Sequence, residues 1–267
     1  MKYYSAVGTL FLKQSMQSGL EYPANLAGWL LSNLLQFLIG FATIRFVVEQ
    51  FGTLRGWGFD ELAFLYGLSV LSHGFAVIFF TQTWYLGYLV VNGELDRFLL
   101  RPLNVLFQFL FMDLNVIGVT DLLSGVIIFV YGCSKVNFSW TLPNIVSMLA
   151  AAIGGTLLRG AIWLVCASVS FWSKSRCDFL MYSLQLYDKT TMYPLTIYPR
   201  VLQIIFTLII PLGWITFYPA SAFLNKEIPF YIPIGVPAAT FAIGLGSYLL
   251  ACLMFCRGMR RYESAGT

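Results

Sequence analysis

Residues Phe59–Phe80 read FDELAFLYGLSVLSHGFAVIFF, and the chain continues as TQTWYLGYLVVNG to Gly93 before another charged residue, Glu94, occurs. Between Leu62 and Gly93 there is no Asp, Glu, Lys or Arg. A helix rises about 1.5 Å per residue, so roughly 20 apolar residues cross the hydrocarbon of a bilayer. This stretch is long enough to cross and to continue past the far side. A water-facing helix would need a polar stripe along its length, and none is present here.

Working outward, the rest of the chain repeats the pattern. Of 267 residues, 58% are hydrophobic and 10% charged, against roughly a quarter charged in an ordinary soluble domain. The expected fold is therefore all-α, a polytopic integral membrane protein with six transmembrane helices in one domain spanning residues 1–267. The first span is expected near Leu26–Val48, after Pro23, a residue suited to a helix start. The second is Phe59–Phe80. The third is Val105–Tyr131, with Asp113 and Asp121 inside it, and the fourth is Pro143–Ser170, with Arg159 inside it. The fifth is Arg200–Phe217 and the sixth Tyr231–Cys256. No length remains for a soluble catalytic domain.

Orientation follows Lys and Arg in short loops. With both termini in the cytoplasm, Lys2, Lys13, Arg97, Arg101, Lys174, Arg176, Lys189, Arg200, Arg257, Arg260 and Arg261 fall inside, and Arg55, Lys135 and Lys226 fall outside. The expected location is the inner or plasma membrane. Residues 1–22 lack a continuous apolar run, so a cleavable signal peptide is not expected.

Catalytic chemistry finds little support. The five cysteines form no CxxC pair, and His73 is the single histidine, so no metal site and no catalytic residue is assigned. His73 beside Ser72 and Gly74 suits a hydrogen-bonded packing role. Arg45, near the outer end of the first span with Glu49 one turn on, suits snorkelling to the interface. By depth, Asp113 and Arg159 are expected to form an intramembrane ion pair between antiparallel spans.

Three segments outside the spans stand out. In residues 1–23, Tyr3, Tyr4, Val7, Leu10 and Phe11 recur at helical spacing, which suits a helix lying in the interface. In residues 91–104, Asn92-Gly93 reads as a turn, Glu94–Leu100 as a short helix showing Leu95, Phe98 and Leu99 on one face, and Pro102 as its end. From Tyr193 the chain reads YPLTIYP to Pro199, then carries Pro211, Gly213 and Trp214 and the run Tyr218-Pro219-Ala220. Prolines at both ends and within suggest an interfacial start, a helix broken near its outer half and a partly buried turn.

The ordered set of Gly93–Pro102 (GELDRFLLRP), Tyr193–Pro199 and the Pro211 to Ala220 run resembles the membrane subunits of ABC-type transporters of the type-2 exporter group, the branch of about 260 residues with a GELDxxLLRP segment. The resemblance covers nearly the whole chain. It implies pairing with ABC ATPase subunits and with a second permease copy or a homologous permease. It implies that Gly93, Glu94, Leu95, Asp96, Arg97, Phe98, Leu100, Arg101 and Pro102 form a coupling helix seated in a cleft of the ATPase. It also implies a cavity between paired permeases, with Phe37, Phe75 and Phe217 as candidate wall residues. The pattern GxxxxGK[ST] is absent from the sequence, so ATP and Mg are expected on the partner chain and no cofactor in this one. No nucleic-acid partner is expected, and the lipid bilayer is the surrounding medium. The function implied is ATP-driven export of a hydrophobic or amphipathic compound. An ion-gradient-driven transporter and an intramembrane lipid-modifying enzyme are the competing readings.

Overall fold

The computed structural model describes residues 2–228 and 233–263. Helix α1 (Lys2–Glu21) is followed by α2 (Pro23–Phe51), α3 (Phe59–Phe80), a 3-10 turn Thr81–Tyr85, α4 (Leu86–Val91) and α5 (Asp96–Leu99). Then come α6 (Val105–Phe111), α7 (Gly118–Lys135), α8 (Leu142–Ser168), α9 (Ser170–Ser173), α10 (Asp178–Thr190), α11 (Arg200–Ile204), α12 (Phe217–Phe223) and α13 (Val236–Met259). Five stretches among the described residues are long and apolar enough to cross a membrane: Pro23–Phe51, Phe59–Val91, Gly118–Lys135, Leu142–Ser173 and Val236–Met259. The expected start of the sixth span at Tyr231 lies outside the described residues, as do Met1 and residues 264–267.

The buried apolar residues fall into two clusters that divide the bundle by depth. One holds Leu62–Val70 of α3, Phe129 of α7, Leu158 of α8 and Val236 of α13. The other holds Phe80 and Leu86, Trp163 to Phe171, and Phe255 near the end of α13. The second lies toward the face carrying both ends of the described chain, here the terminal face; the first lies toward the opposite, distal face. At the terminal face Lys174 Nζ bonds Glu263 at 2.7 Å. At the distal face Lys226 Nζ bonds the Gly56 carbonyl and, at 2.7 Å, Glu61.

Helices α3 and α7 approach at backbone distance because glycine faces glycine-sized space. On α7, Gly118, Gly125 and Gly132 are seven residues apart and meet the backbone at Ile78, Leu71 and Phe64 of α3. On α3, Gly67 and Gly74 meet Phe129 and Leu122 of α7 in return. In lipid, where apolar burial gives no drive between helices, such close packing is what holds them together. Helices α8 and α13 use the same device, with Gly154 and Gly244 in contact.

Two expected spans are drawn differently. The third is not one helix from Val105: it breaks after Phe111, and the crossing helix begins at Gly118. The backbone released in the break finds other partners. Leu114 N–H donates to Ser15 Oγ of α1 at 2.9 Å, and Asn115 N–H to the Ile78 carbonyl at 3.2 Å. Asp113 and Asn115, polar residues inside an otherwise apolar run, sit in this break.

The fifth crossing lies earlier than Arg200–Phe217. Helix α8 runs from the distal face to the terminal face and α13 starts again at the distal face, so the chain crosses once between them. Met181 of α10 packs in the terminal cluster, while Tyr193, Leu195 and Tyr198 pack in the distal one. The crossing is therefore made by α10 and the irregular segment after it. Residues Arg200–Ile209 and Leu212–Phe223 meet at a 77° bend, and their packed residues Phe206, Leu212, Trp214 and Phe217 all join the distal cluster. They form a re-entrant hairpin in the distal half. Consequently Arg200 opens a helix at the distal side, and Lys189 sits within the crossing, rather than both lying at the terminal face. Helix α10 carries Asp178, Asp188 and Lys189, which is why an uncharged-run reading passes over it to the next apolar stretch.

The hairpin bends where a proline removes a backbone donor. Ile210, before Pro211, leaves the helical region at φ −116°, ψ 89°, after one π-helical turn at Ile205–Ile209. Side chains satisfy the Thr207 carbonyl released by Pro211 and two carbonyls of the irregular segment before α11. Trp214 Nε1 donates to the Thr207 carbonyl at 3.2 Å, Gln203 Nε2 to the Tyr198 carbonyl at 2.8 Å, and Thr216 Oγ1 to the Thr191 carbonyl at 2.6 Å.

Candidate functional site

Two regions concentrate polar chemistry: a projecting segment on the terminal face, and a hydrogen-bonded chain inside the bundle.

The projecting segment is the turn and short helix around α5. Gly93 turns the chain with φ +71°, a left-handed value that suits glycine. Leu95 and Phe98 are driven into the terminal cluster, 0% and 2% exposed, and the Phe98 ring meets Phe109 of α6 at 6.4 Å. Gln108 of α6, fully buried, donates through Nε2 to the carbonyls of Phe98 and Leu103 at 3.1 and 3.0 Å. Burial, and then the Asp96 carboxylate, push the phenol of Tyr262, just after α13, up to about 12. The segment is thus clamped from below by α6 and the end of α13. Its upper side is open: Leu100 is 86% exposed, and Leu99, Arg97, Arg101 and Pro102 are exposed beside it. Arg97 lies 3.6 Å from Glu94 and over the Phe98 ring. The expected grouping of Leu99 with Leu95 and Phe98 does not hold, because Leu99 points outward.

Inside the bundle, Arg159 of α8 is 1% exposed. It reaches Ser72 Oγ and the Ser69 carbonyl of α3 at 3.3 and 3.5 Å, Thr191 Oγ1 at 3.2 Å and His73 Nδ1 at 3.4 Å. His73 Nε2 stands 3.7 Å from Asp121 Oδ2 on α7. Asn33 of α2 donates to Asp121 Oδ1 and to Thr120 Oγ1. One polar chain therefore ties α2, α7, α3, α8 and Thr191 together across the interior. A charge in the membrane core is costly unless compensated. Here the guanidinium is held by hydroxyl and carbonyl acceptors on α3 and at Thr191, and His73 stands between it and the Asp121 carboxyl. The expected Asp113–Arg159 pair is not formed. Asp113 is exposed in the break before α7, beside Gln82, Glu94 and Arg97 at the projecting segment. Depth along a straight helix from Val105 pointed to Asp113, and the break before α7 moves Asp113 to the terminal face while Asp121 faces His73.

Two sizeable cavities flank this chain. One, about 490 Å³, is lined by Trp29, Asn33, His73, Trp84, Tyr85, Asn115, Asp121 and Trp163 among others. The other, about 460 Å³, is almost wholly apolar and lies between α3, α6, α8 and α13, with Phe75, Phe79 and Phe111 in its wall. The three residues expected to line a cavity between paired permeases lie apart within the single chain. Phe37 is buried against α3, its carbonyl accepting from Tyr66 Oη at 3.1 Å. Phe75 lines the apolar cleft, and Phe217 is packed against Trp57 and borders a small pocket at Thr191. Arg45 is exposed and pairs with Glu49 at 2.8 Å.

No curated protein and no solved structure matches the chain. A family model described as an ABC-2 family transporter protein matches residues 30–266, from early in α2 past the end of α13. With a helical bundle of membrane-crossing length over that whole stretch, the chain belongs to the ABC-2 transporter family.

Proposed function

We propose that this permease exports a hydrophobic or amphipathic compound, driven by ATP hydrolysis on separate ATPase subunits that push on residues 93–102. The observation that carries this reading is the split burial of that segment. Leu95 and Phe98 are locked into the bundle while Leu99, Leu100, Arg97 and Arg101 face outward. A push on the exposed side is delivered to α6, and through the 3-10 turn and α4 to α3, without being absorbed by a flexible loop. ATP binding in the partners would bias two packings of the bundle, and differential affinity for the compound in each would do the transport work.

Nine basic residues lie at the terminal face (Lys2, Lys13, Arg97, Arg101, Lys174, Arg176, Arg257, Arg260, Arg261) against four at the distal face (Arg55, Lys135, Arg200, Lys226). That bias supports a cytoplasmic terminal face, where the ATPases reside. Helix α2 leaves Leu31, Leu35, Leu38 and Ile39 exposed, which supports pairing with a second permease there.

The test is purification of the full chain from native membranes, scoring the eluate for vanadate-sensitive ATP hydrolysis, with Leu100→Glu and Arg97→Ala as a double variant. Both side chains are exposed, so the bundle is expected to fold normally. Co-purifying hydrolysis with wild type, lost with the variant, supports the reading. Hydrolysis that survives the variant places coupling elsewhere, and its absence after mild crosslinking favours a gradient-driven transporter.

A further inference from the structure

We propose that the 490 Å³ cavity between α2, α3, α7 and α8 binds an organic cation with an aromatic or similarly apolar body, a ligand class that deepens the export reading and rests on it only for its transport consequence. The volume falls in the range of small-molecule sites. Its walls supply the two things such a ligand needs. Trp84 and Trp163 meet edge-to-face at 6.0 Å and 84°, forming an aromatic corner, and Trp163 also meets His73 at 6.2 Å. Trp29 and Tyr85, 48% and 57% exposed, stand at the mouth. Tryptophan faces are the strongest aromatic partners for a cation.

The charged residue types around the cavity are one-sided. Asp121 lines it, whereas no Lys or Arg is found among the described lining residues. Arg159 is withdrawn behind His73, with its partners on α3 and at Thr191. A carboxylate offers about four acceptor sites. Asn33 takes one oxygen, and His73 stands at 3.7 Å from the other, longer than a hydrogen bond. Acceptor capacity therefore remains for a ligand cation, and the same carboxylate repels anions. A neutral polyol would use Asn33, Asn115 and Thr81 without needing the carboxylate, and the experiment separates the two.

The experiment uses the full chain in phosphatidylcholine nanodiscs without any ATPase, and radiolabelled tetraphenylphosphonium as probe, with empty nanodiscs subtracted. Saturable binding is expected, weakened about tenfold by Asp121→Asn, the scale of one charge-assisted contact. The double variant Trp29→Leu with Tyr85→Leu, whose side chains are exposed, is expected to weaken binding about threefold. It carries the test should Asp121→Asn fail to fold. Phenyl glucoside is expected not to compete. Absence of saturable binding, unchanged affinity in the folded variants, or displacement by phenyl glucoside at matching concentration would overturn the proposal. Because no ATPase is present, a negative result leaves the export reading standing, and failure to recover an ATPase leaves this site standing.

Discussion

Helices α2 and α3 are both long and apolar enough to cross a membrane, yet they occupy opposite situations. Every residue from Leu62 to Val70 on α3 is buried. On α2 the buried positions are Phe37, Ile44 and Val48. The difference lies in what the neighbours present. Helix α3 meets the Gly118, Gly125 and Gly132 ladder of α7 on one side and Thr156 and Arg159 of α8 on another. Helix α2 meets α7 through the Asn33 hydrogen bonds and an edge-to-face contact of Phe41 with Tyr131, and its Gly28 faces open space. Apolarity puts a helix in the bilayer; small residues and buried donors decide which helices become its centre.

Three experiments test that contrast, from the largest expected effect downward. Gly125→Leu places a side chain where a Cβ alone would stand 2.8 Å from the Leu71 backbone nitrogen. Overpacking against backbone is expected to cost about 3 kcal/mol or more. The result should be loss of monodisperse protein in size-exclusion chromatography; a normally folded variant would break the glycine-ladder account of α3.

Arg159→Met removes the buried guanidinium that Ser69, Ser72, His73 and Thr191 share. Leaving those buried groups without their partner is expected to cost about 1–3 kcal/mol, read as a lowered melting temperature in detergent. An unchanged melting temperature would show that the polar chain does not hold α3 and α8 together.

Leu35→Ala with Leu38→Ala, both exposed on α2, is expected to shift the melting temperature of the isolated chain by less than about 0.5 kcal/mol equivalent. A larger loss would show that α2 is packed as α3 is, and would remove the contrast.

The same contrast explains which parts of the fold were legible in advance. Long, predominantly apolar spans such as Phe59–Phe80 and Leu142–Ser168 fall close to the expected bounds. The two that moved were misdrawn for opposite reasons. The third span was overextended because Asp113 and Asn115 look like isolated polar residues in a helix, while in the fold Ser15 and Ile78 take up the backbone groups that the break releases. The fifth was displaced because α10 is too charged to register, and Arg200–Phe217, long enough to cross, bends at Pro211 instead. A signal for the α3–α7 seam was present in the heptad spacing of Gly118, Gly125 and Gly132. The Asp121–His73–Arg159 chain had no local signal, since its members come from three helices.

What the residues alone determine here is the solvent and the periodicity. With so few charges and such long apolar runs, helices are the spanning structures this composition supports, because every backbone N–H must be satisfied within the segment. The clamped turn at Gly93–Pro102 is also local, set by glycine, proline and two buried apolar side chains. The tertiary structure decides which groups surround Arg159, which face of each helix is covered, and whether a proline-rich run crosses or folds back. Those outcomes depend on partners distant in the chain, and no window of sequence contains both sides of such a contact.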